Sequence, residues 1–290
     1  MTIAELNRWI AEGLVGEAVA LGERWQQERL ARIVDAVRAD SRIRLVLVTG
    51  GSSSGKTTVS RHLRRLLADC GRAALSLSID DYYAGRDRYP LDEAGRVDYE
   101  DIRCIDTAQL GSDLATLFAG GTVYERRYDF TREQPFMTGG TLTLAADGLI
   151  VLEGLHALNP AVVKDLPSEW AFRISVELRP RAGDFPQGAP SSDQIRFLRR
   201  MIRDSHARGL PPLTTFERWP VVRAGERRWI EPFLPLADAV VDTFAVHELA
   251  ELRLRGWELL QGLRRDTRGS PEVLEMVRLL EPVLPAECVS

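Results

Sequence analysis

The stretch Val46-Leu47-Val48-Thr49-Gly50-Gly51-Ser52-Ser53-Ser54-Gly55-Lys56-Thr57-Thr58 decides how the chain is read. Apolar and β-branched residues lead into a turn of the form G-x-x-x-x-G-K-[ST], and an amphipathic run over residues 59–67 follows. The order is therefore strand, glycine-rich loop, helix, which is the context of a phosphate-binding P-loop. Gly50 and Gly55 permit a tight turn. The backbone N–H groups from Gly51 through Ser52, Ser53 and Ser54 to Thr58 can then face a di- or triphosphate beside the positive end of the new helix. Lys56 is expected to bridge the β- and γ-phosphates, and the Thr57 hydroxyl to ligate Mg²⁺. The basic residues are otherwise almost all arginine, since only Lys56 and Lys164 are lysines. A compact ammonium suits phosphate oxygens, although Lys164 shows that scarcity alone does not single out the site.

Outward from this loop, alternating strands and helices predict an α/β fold with a mostly parallel sheet. Residues 73–79 read as the second strand and end in Asp80-Asp81-Tyr82-Tyr83. Ligands of open α/β sheets bind at the carboxyl ends of strands, so Asp80 sits where a carboxylate can take a proton from an acceptor hydroxyl and support a metal shell. Asp81 can equally cap the turn. Residues 85–106 read as a loop, and residues 122–128 and 141–144 as a β-ribbon joined through Pro135 and Gly139-Gly140. The apolar run 149–152 ends in Glu153, the usual place for a second residue of a Mg²⁺ shell. A strand over 172–178 precedes a glycine- and proline-rich segment, 180–190, and then a helix bearing Arg196, Arg199, Arg200, Arg203 and Arg208. The first, second and fourth of these follow i, i+3, i+7 spacing and share a face. That face is either solvated or a lid whose arginines neutralise phosphoryl charge. Residues 239–242 read as a last strand and 246–263 as a closing helix.

The organisation expected is an N-terminal helical appendage (1–40), a P-loop nucleotide-binding domain (41–263) and a C-terminal tail (264–290). Leu6, Trp9, Ile10, Val15, Val19, Trp25, Leu30, Ile33, Val34 and Val37 give the first segment helical spacing, in two or three helices broken near Gly13, Gly16 and Gly22. Such helices either pack over one side of the nucleotide domain or bind a partner. Hydrophobic residues at 44% and charged residues at 28% suit a globular protein, and a net charge of −4 gives no basic footprint for nucleic acid. Three scattered cysteines fit a reducing cytoplasm, and neither a leader peptide nor a membrane-spanning run is expected. Self-association stays open.

The ordered set GGSSSGKTT, LSIDDYY, RYDF, VLEG and RRMIRDSHARG resembles the uridine/cytidine kinase and phosphoribulokinase family from about Ile43 to Leu263. The resemblance implies ATP- and Mg²⁺-dependent phosphorylation of a hydroxyl on a small-molecule acceptor, such as the 5′-hydroxyl of uridine or cytidine. Asp80 matches the catalytic base, and Thr57 and Glu153 the Mg²⁺ side. Arg200, Arg203 and Arg208 match lid arginines that hold phosphates and acceptor, while Tyr83 and Tyr128 match aromatic residues of a nucleoside pocket. Two departures concern the acceptor. Tyr99-Glu100-Asp101-Ile102 stands where the nucleoside kinases carry Phe-Asp-His-Pro, and Glu133 stands in place of their base-reading histidine. Glu100 and Glu133 are expected side by side in the pocket, accepting hydrogen bonds from hydroxyl or amino groups. Plain ion pairs with Arg127 or Arg132 are the alternative. A sugar-like acceptor of the phosphoribulokinase kind, or a nucleotide-dependent regulatory module without an acceptor, also stays open.

Overall fold

The computed structural model describes residues 1–91, 95, 97–181 and 190–288. Two helices, α1 (Ile3–Ala11) and α2 (Val15–Ala39), lead into β1 (Leu45–Thr49), the glycine-rich loop and α3 (Lys56–Asp69). Then come β2 (Ala74–Ser78), α4 (Thr107–Phe118), β3 (Thr122–Asp129), β4 (Gln134–Thr143), β5 (Leu149–Glu153) and β6 (Ala171–Glu177). The chain closes with α5 (Ser192–Arg208), α6 (Pro212–Trp229), β7 (Ala239–Asp242), α7 (Glu248–Asp266) and α8 (Pro271–Leu280).

β1 is central because all five of its residues are apolar or β-branched and can be buried on both faces. The parallel sheet runs β2-β5-β1-β6-β7, with Leu45 opposite Ile150 on one side and Ala171 on the other. Alternation along β1 divides the core. Leu45 and Leu47 face a cluster containing Leu110, Leu114 and Leu117 of α4, whereas Val46 and Val48 face Val59, Leu63 and Leu67 of α3 together with Leu30, Ile33, Val34 and Val37 of α2. A third cluster joins Leu6 of α1 to Ile195 and Met201 of α5, Leu260 of α7 and Met276 of α8. All five strands being parallel, Thr49, Ser78, Glu153, Glu177 and Asp242 end at one edge, where the crevice of such a sheet lies.

The structure corrects several expectations about the elements. The break between the N-terminal helices is at Gly13, whose φ of +73° glycine adopts without strain, but Gly16 and Gly22 lie inside α2. A helical glycine costs about 1 kcal/mol relative to alanine, which packing readily offsets. The ribbon is longer than expected, and Pro135, Gly139 and Gly140 lie within β4. β3 and β4 form a two-stranded sheet, so β4 keeps one unpaired side on which a proline's missing N–H is harmless. The actual connection is residues 130–133, held by Asp129, whose carboxylate accepts from the backbone N–H of Thr131 and Arg132. Helix α4 follows the loop, capped by Asp106 accepting from the Gln109 N–H, and buries Leu110, Leu114 and Leu117 at i, i+4, i+7 spacing. Helix α6 carries Pro220 in its interior, which hid it in the sequence. Most of the glycine- and proline-rich stretch of 180–190 lies outside the described residues.

Candidate active site

The loop after β1 closes around its own backbone. The Ser54 N–H donates to the Gly51 carbonyl at 3.1 Å, and Lys56 Nζ reaches back to the same oxygen at 3.1 Å. A Cβ at Gly50 would overlap the Val176 carbonyl oxygen, so glycine is required there by β6 passing behind. A side chain at Gly51 would instead meet the Arg196 guanidinium, which would have to shift. Gly55, at φ +96°, turns the chain into α3. Ser53 also takes a positive φ of +59°, a conformation that bends the loop outward around a concavity of N–H groups.

Arginines of α5 brace the loop from outside. Arg196 donates to the Ser52 carbonyl at 3.0 Å and pairs with the buried Glu226 of α6. Arg199 donates to the carbonyls of Ser53 and Thr243, each at 3.2 Å, and pairs with Glu248. Arg200 donates to Ser52 Oγ at 2.7 Å. The Glu226 carboxylate itself accepts the Ser52 backbone N–H at 2.6 Å. Burial pushes the Glu226 carboxyl up, but Arg196, the Ser52 N–H and Arg223 outweigh it and hold the carboxyl below its ordinary range. Trp219 lies under the Arg196 guanidinium at 5.3 Å, and a Cβ at Gly225 would overlap Glu100. The Trp219-Pro220…Gly225-Glu226 segment thus bolts α6 to both the loop and the opposite wall.

A cavity of about 1320 Å³ opens over the strand ends. Lys56, Thr57, Asp80 and Glu153 line it together. Thr57 Oγ1 donates to Glu153 Oε1 at 3.4 Å, and Ser78 Oγ donates to the same oxygen at 3.0 Å. These are hard oxygen donors, and they fit Mg²⁺, which takes one or two protein oxygens and fills its shell with water and phosphate. Among the described residues no cluster of three His, Cys, Asp or Glu offers an all-protein metal cage. Burial depresses the Lys56 ammonium, against the attraction of Glu153 and Asp80. Burial raises Asp80, against Lys56, Arg208 and Arg203. Glu153 is raised by burial and by its neighbour Asp80. Asp81 turns away into an ion pair with Arg127 at 2.9 Å. Lys164 is exposed and does not line the cavity.

Arg200, Arg203 and Arg208 converge on one buried carboxylate, Asp204, at 3.3, 2.8 and 3.4 Å. Asp204 was not anticipated, although its place four residues after Arg200 and four before Arg208 is a spacing that pairs charges on a helix. One side of the cavity is an aromatic nest that the sequence disclosed only in part. Tyr83 packs against Tyr128 at 5.3 Å and Phe130 at 5.8 Å, Tyr89 against Tyr99 at 5.6 Å, and the hydroxyls of Tyr89 and Tyr128 meet. Arg208 lies over Phe130 at 5.5 Å.

Glu100 and Glu133 both line the cavity but hold different partners. Glu133 is tied to Arg86 at 2.8 Å and accepts from the Tyr99 hydroxyl at 2.9 Å, so it braces the loop beside the nest. Glu100 answers chiefly to Arg200, Glu226, Asp80 and Lys56, and its Oε2 is buried with no hydrogen-bond partner. Burial pushes the Glu100 carboxyl up to about 7. Neither makes the ion pairs considered from sequence, since Arg127 holds Asp81 and Glu125, and Arg132 holds Asp129.

The family model described as "Phosphoribulokinase / Uridine kinase family" matches residues 45–250, more than half of the chain. The chain belongs to this family. Among relatives of the phosphoribulokinase/uridine kinase family, the uridine kinase of Ligilactobacillus salivarius (strain UCC118) is 28% identical over 207 residues, covering 71% of this chain and 88% of its own. That of Leuconostoc citreum (strain KM20) is 29% identical over 195 residues, covering 67% and 84%. A solved structure from Silicibacter sp. TM1040, named as a fructose transport system kinase, superposes with a TM-score of 0.52 at 19% identity over 73% of this chain and 98% of the other, a likeness of fold. Membership of the phosphoribulokinase/uridine kinase family makes the protein a P-loop kinase, and no helix among the described residues is long and apolar enough to cross a membrane.

Proposed function

We propose that the protein transfers the γ-phosphate of ATP to a hydroxyl of a small acceptor, a nucleoside such as uridine or cytidine at its 5′-hydroxyl. The observation that carries this reading is the meeting of Lys56, Thr57, Asp80 and Glu153 in the cavity that the tyrosine nest also lines. The loop's N–H groups and Lys56 hold the donor phosphates. Asp80 accepts the proton as the acceptor oxygen bonds to phosphorus, while the bond from phosphorus to the β,γ-bridging oxygen breaks. Burial makes Asp80 a stronger base, and Lys56, Arg203 and Arg208 keep its charged form accessible. Thr57 and Glu153 would hold Mg²⁺, which would supply charge neutralisation on the donor phosphates. Tyr83 and Tyr128 border the acceptor, whose hydroxyls donate to the unpartnered oxygen of Glu100. Related uridine kinases and the family match support this assignment. An acceptor that carries its own phosphate is the second reading, favoured by the three arginines gathered on Asp204. Paired assays with uridine, cytidine and ribulose 5-phosphate decide between them: faster ribulose 5-phosphate turnover would overturn the nucleoside assignment.

Two variants test the roles locally. Glu153→Gln keeps the shape and removes the charge, so the magnesium concentration for half-maximal activity should rise several-fold. An unchanged magnesium titration would remove Glu153 from the metal shell. Glu100 gains its charge as pH rises through about 7, so acceptor KM should fall over that interval and Glu100→Gln should flatten the profile. Linkage gives a second readout with a definite sign. The folded carboxyl binds its proton more tightly than the unfolded one, so stability present at low pH is lost as pH rises from about 4.5 to about 7. Glu100→Gln should lose less Tm across that window than the wild type. Parallel Tm profiles and an unchanged KM would reduce Glu100 to a bystander.

A further inference from the structure

The family match begins at residue 45, so helix α2 lies outside it, yet α2 borders the cavity. The cavity leaves the glycine-rich loop in two directions. One runs past Asp80 to the tyrosine nest. The other includes Thr57 and Thr58 and the chain leaving β7, where Thr243, Ala245 and His247 line the cavity with Gly22, Glu23 and Gln26 of α2. The approach is close: a Cβ on Gly22 would overlap the His247 imidazole. Arg29, two turns further along α2, donates to the Asp242 carbonyl at 3.0 Å and anchors the helix to the end of β7.

If the loop holds a nucleoside triphosphate by its phosphates, and the first lobe holds the acceptor, the donor's ribose and base extend into the second. Taking the nucleotide reading of the loop as its basis, we infer that α2 forms one wall of the donor-base subsite, with Glu23 and Gln26 as its specificity-determining side chains. Gln26 offers a donor and an acceptor on one amide, and the Glu23 carboxylate accepts. Adenine presents an amino donor beside a ring-nitrogen acceptor, which this pair complements. Gly22 is the position that lets the helix come near enough to do so.

Binding of ATP and of inorganic tripolyphosphate to the full chain separates the base from the phosphates. The Glu23→Ala/Gln26→Ala double variant should lose about tenfold in ATP affinity, the scale of one or two lost hydrogen bonds, and leave tripolyphosphate binding within about twofold. Gly22→Leu should do the same by forcing α2 and His247 apart. The double variant alters only partly exposed polar side chains, so it reports even where Gly22→Leu misfolds. ATP affinity unchanged in the double variant, or lost in step with tripolyphosphate, overturns the proposal. A wild type that binds neither ligand overturns the nucleotide reading and this wall with it, whereas one that binds ATP but phosphorylates no acceptor overturns only the acceptor reading.

Discussion

Asp80→Asn is expected to cut acceptor phosphorylation by about 10²- to 10⁴-fold, the range for loss of a positioned general base, while ATP still binds. Asparagine keeps the size of the side chain and cannot take a proton. The environment explains why the carboxylate matters. Burial raises Asp80 and so strengthens it as a base, and Lys56, Arg208 and Arg203 limit the shift. Wild-type activity should therefore rise with pH as Asp80 loses its proton, and that limb should vanish from the residual activity of the variant. Asp81→Asn is the control: its carboxylate is committed to Arg127 at 2.9 Å, so its loss should cost far less. Single-turnover assays with saturating ATP compare the two, and equal losses would mean that the role is shared or assigned to the wrong residue.

Lys56→Ala should lower turnover by at least about 100-fold, the scale of removing one preorganised electrostatic stabiliser of transition-state charge. Among the described residues it forfeits at rest the one hydrogen bond to the Gly51 carbonyl, so the fold should persist with a near-unchanged Tm. Burial already depresses the ammonium, and removing it relieves that penalty as it removes the charge. Near wild-type turnover in this variant would end the account of the loop as a phosphate cradle.

What the sequence disclosed is what local chemistry demands. A strand buried on both faces is apolar or β-branched throughout, and a loop passing in front of β6 carries glycine at position 50. Both demands are written into a dozen consecutive residues. Glu153, at the end of the apolar run of β5, and Asp80, in the short turn just after β2, were legible because the strands stop beside them. The pieces that escaped are held by distant partners. Glu226 is thirty residues from Arg196 and much further from Ser52, and nothing near it signals that its carboxylate will grip the loop. Glu133, read by analogy as an acceptor contact, lines the cavity, and its Tyr99 hydroxyl donor and its Arg86 ion-pair partner both lie far from it in sequence. Gly22 looked like a helix breaker because propensity speaks against glycine, whereas its purpose is set by a histidine more than two hundred residues away. Helix α6 was hidden by Pro220, and the ribbon connection by a proline and two glycines that an edge strand tolerates.

The central claim is phosphoryl transfer to an acceptor hydroxyl, and acceptor-dependent ADP release tests it most directly. The purified chain is incubated with Mg-ATP alone and with nucleosides, pentoses and pentose phosphates in turn, and the products are identified by mass spectrometry. The account predicts ADP release that rises steeply with a nucleoside and yields its 5′-monophosphate, and that disappears with Asp80→Asn. ADP release that is the same with and without every acceptor, with inorganic phosphate as the only product, would contradict it.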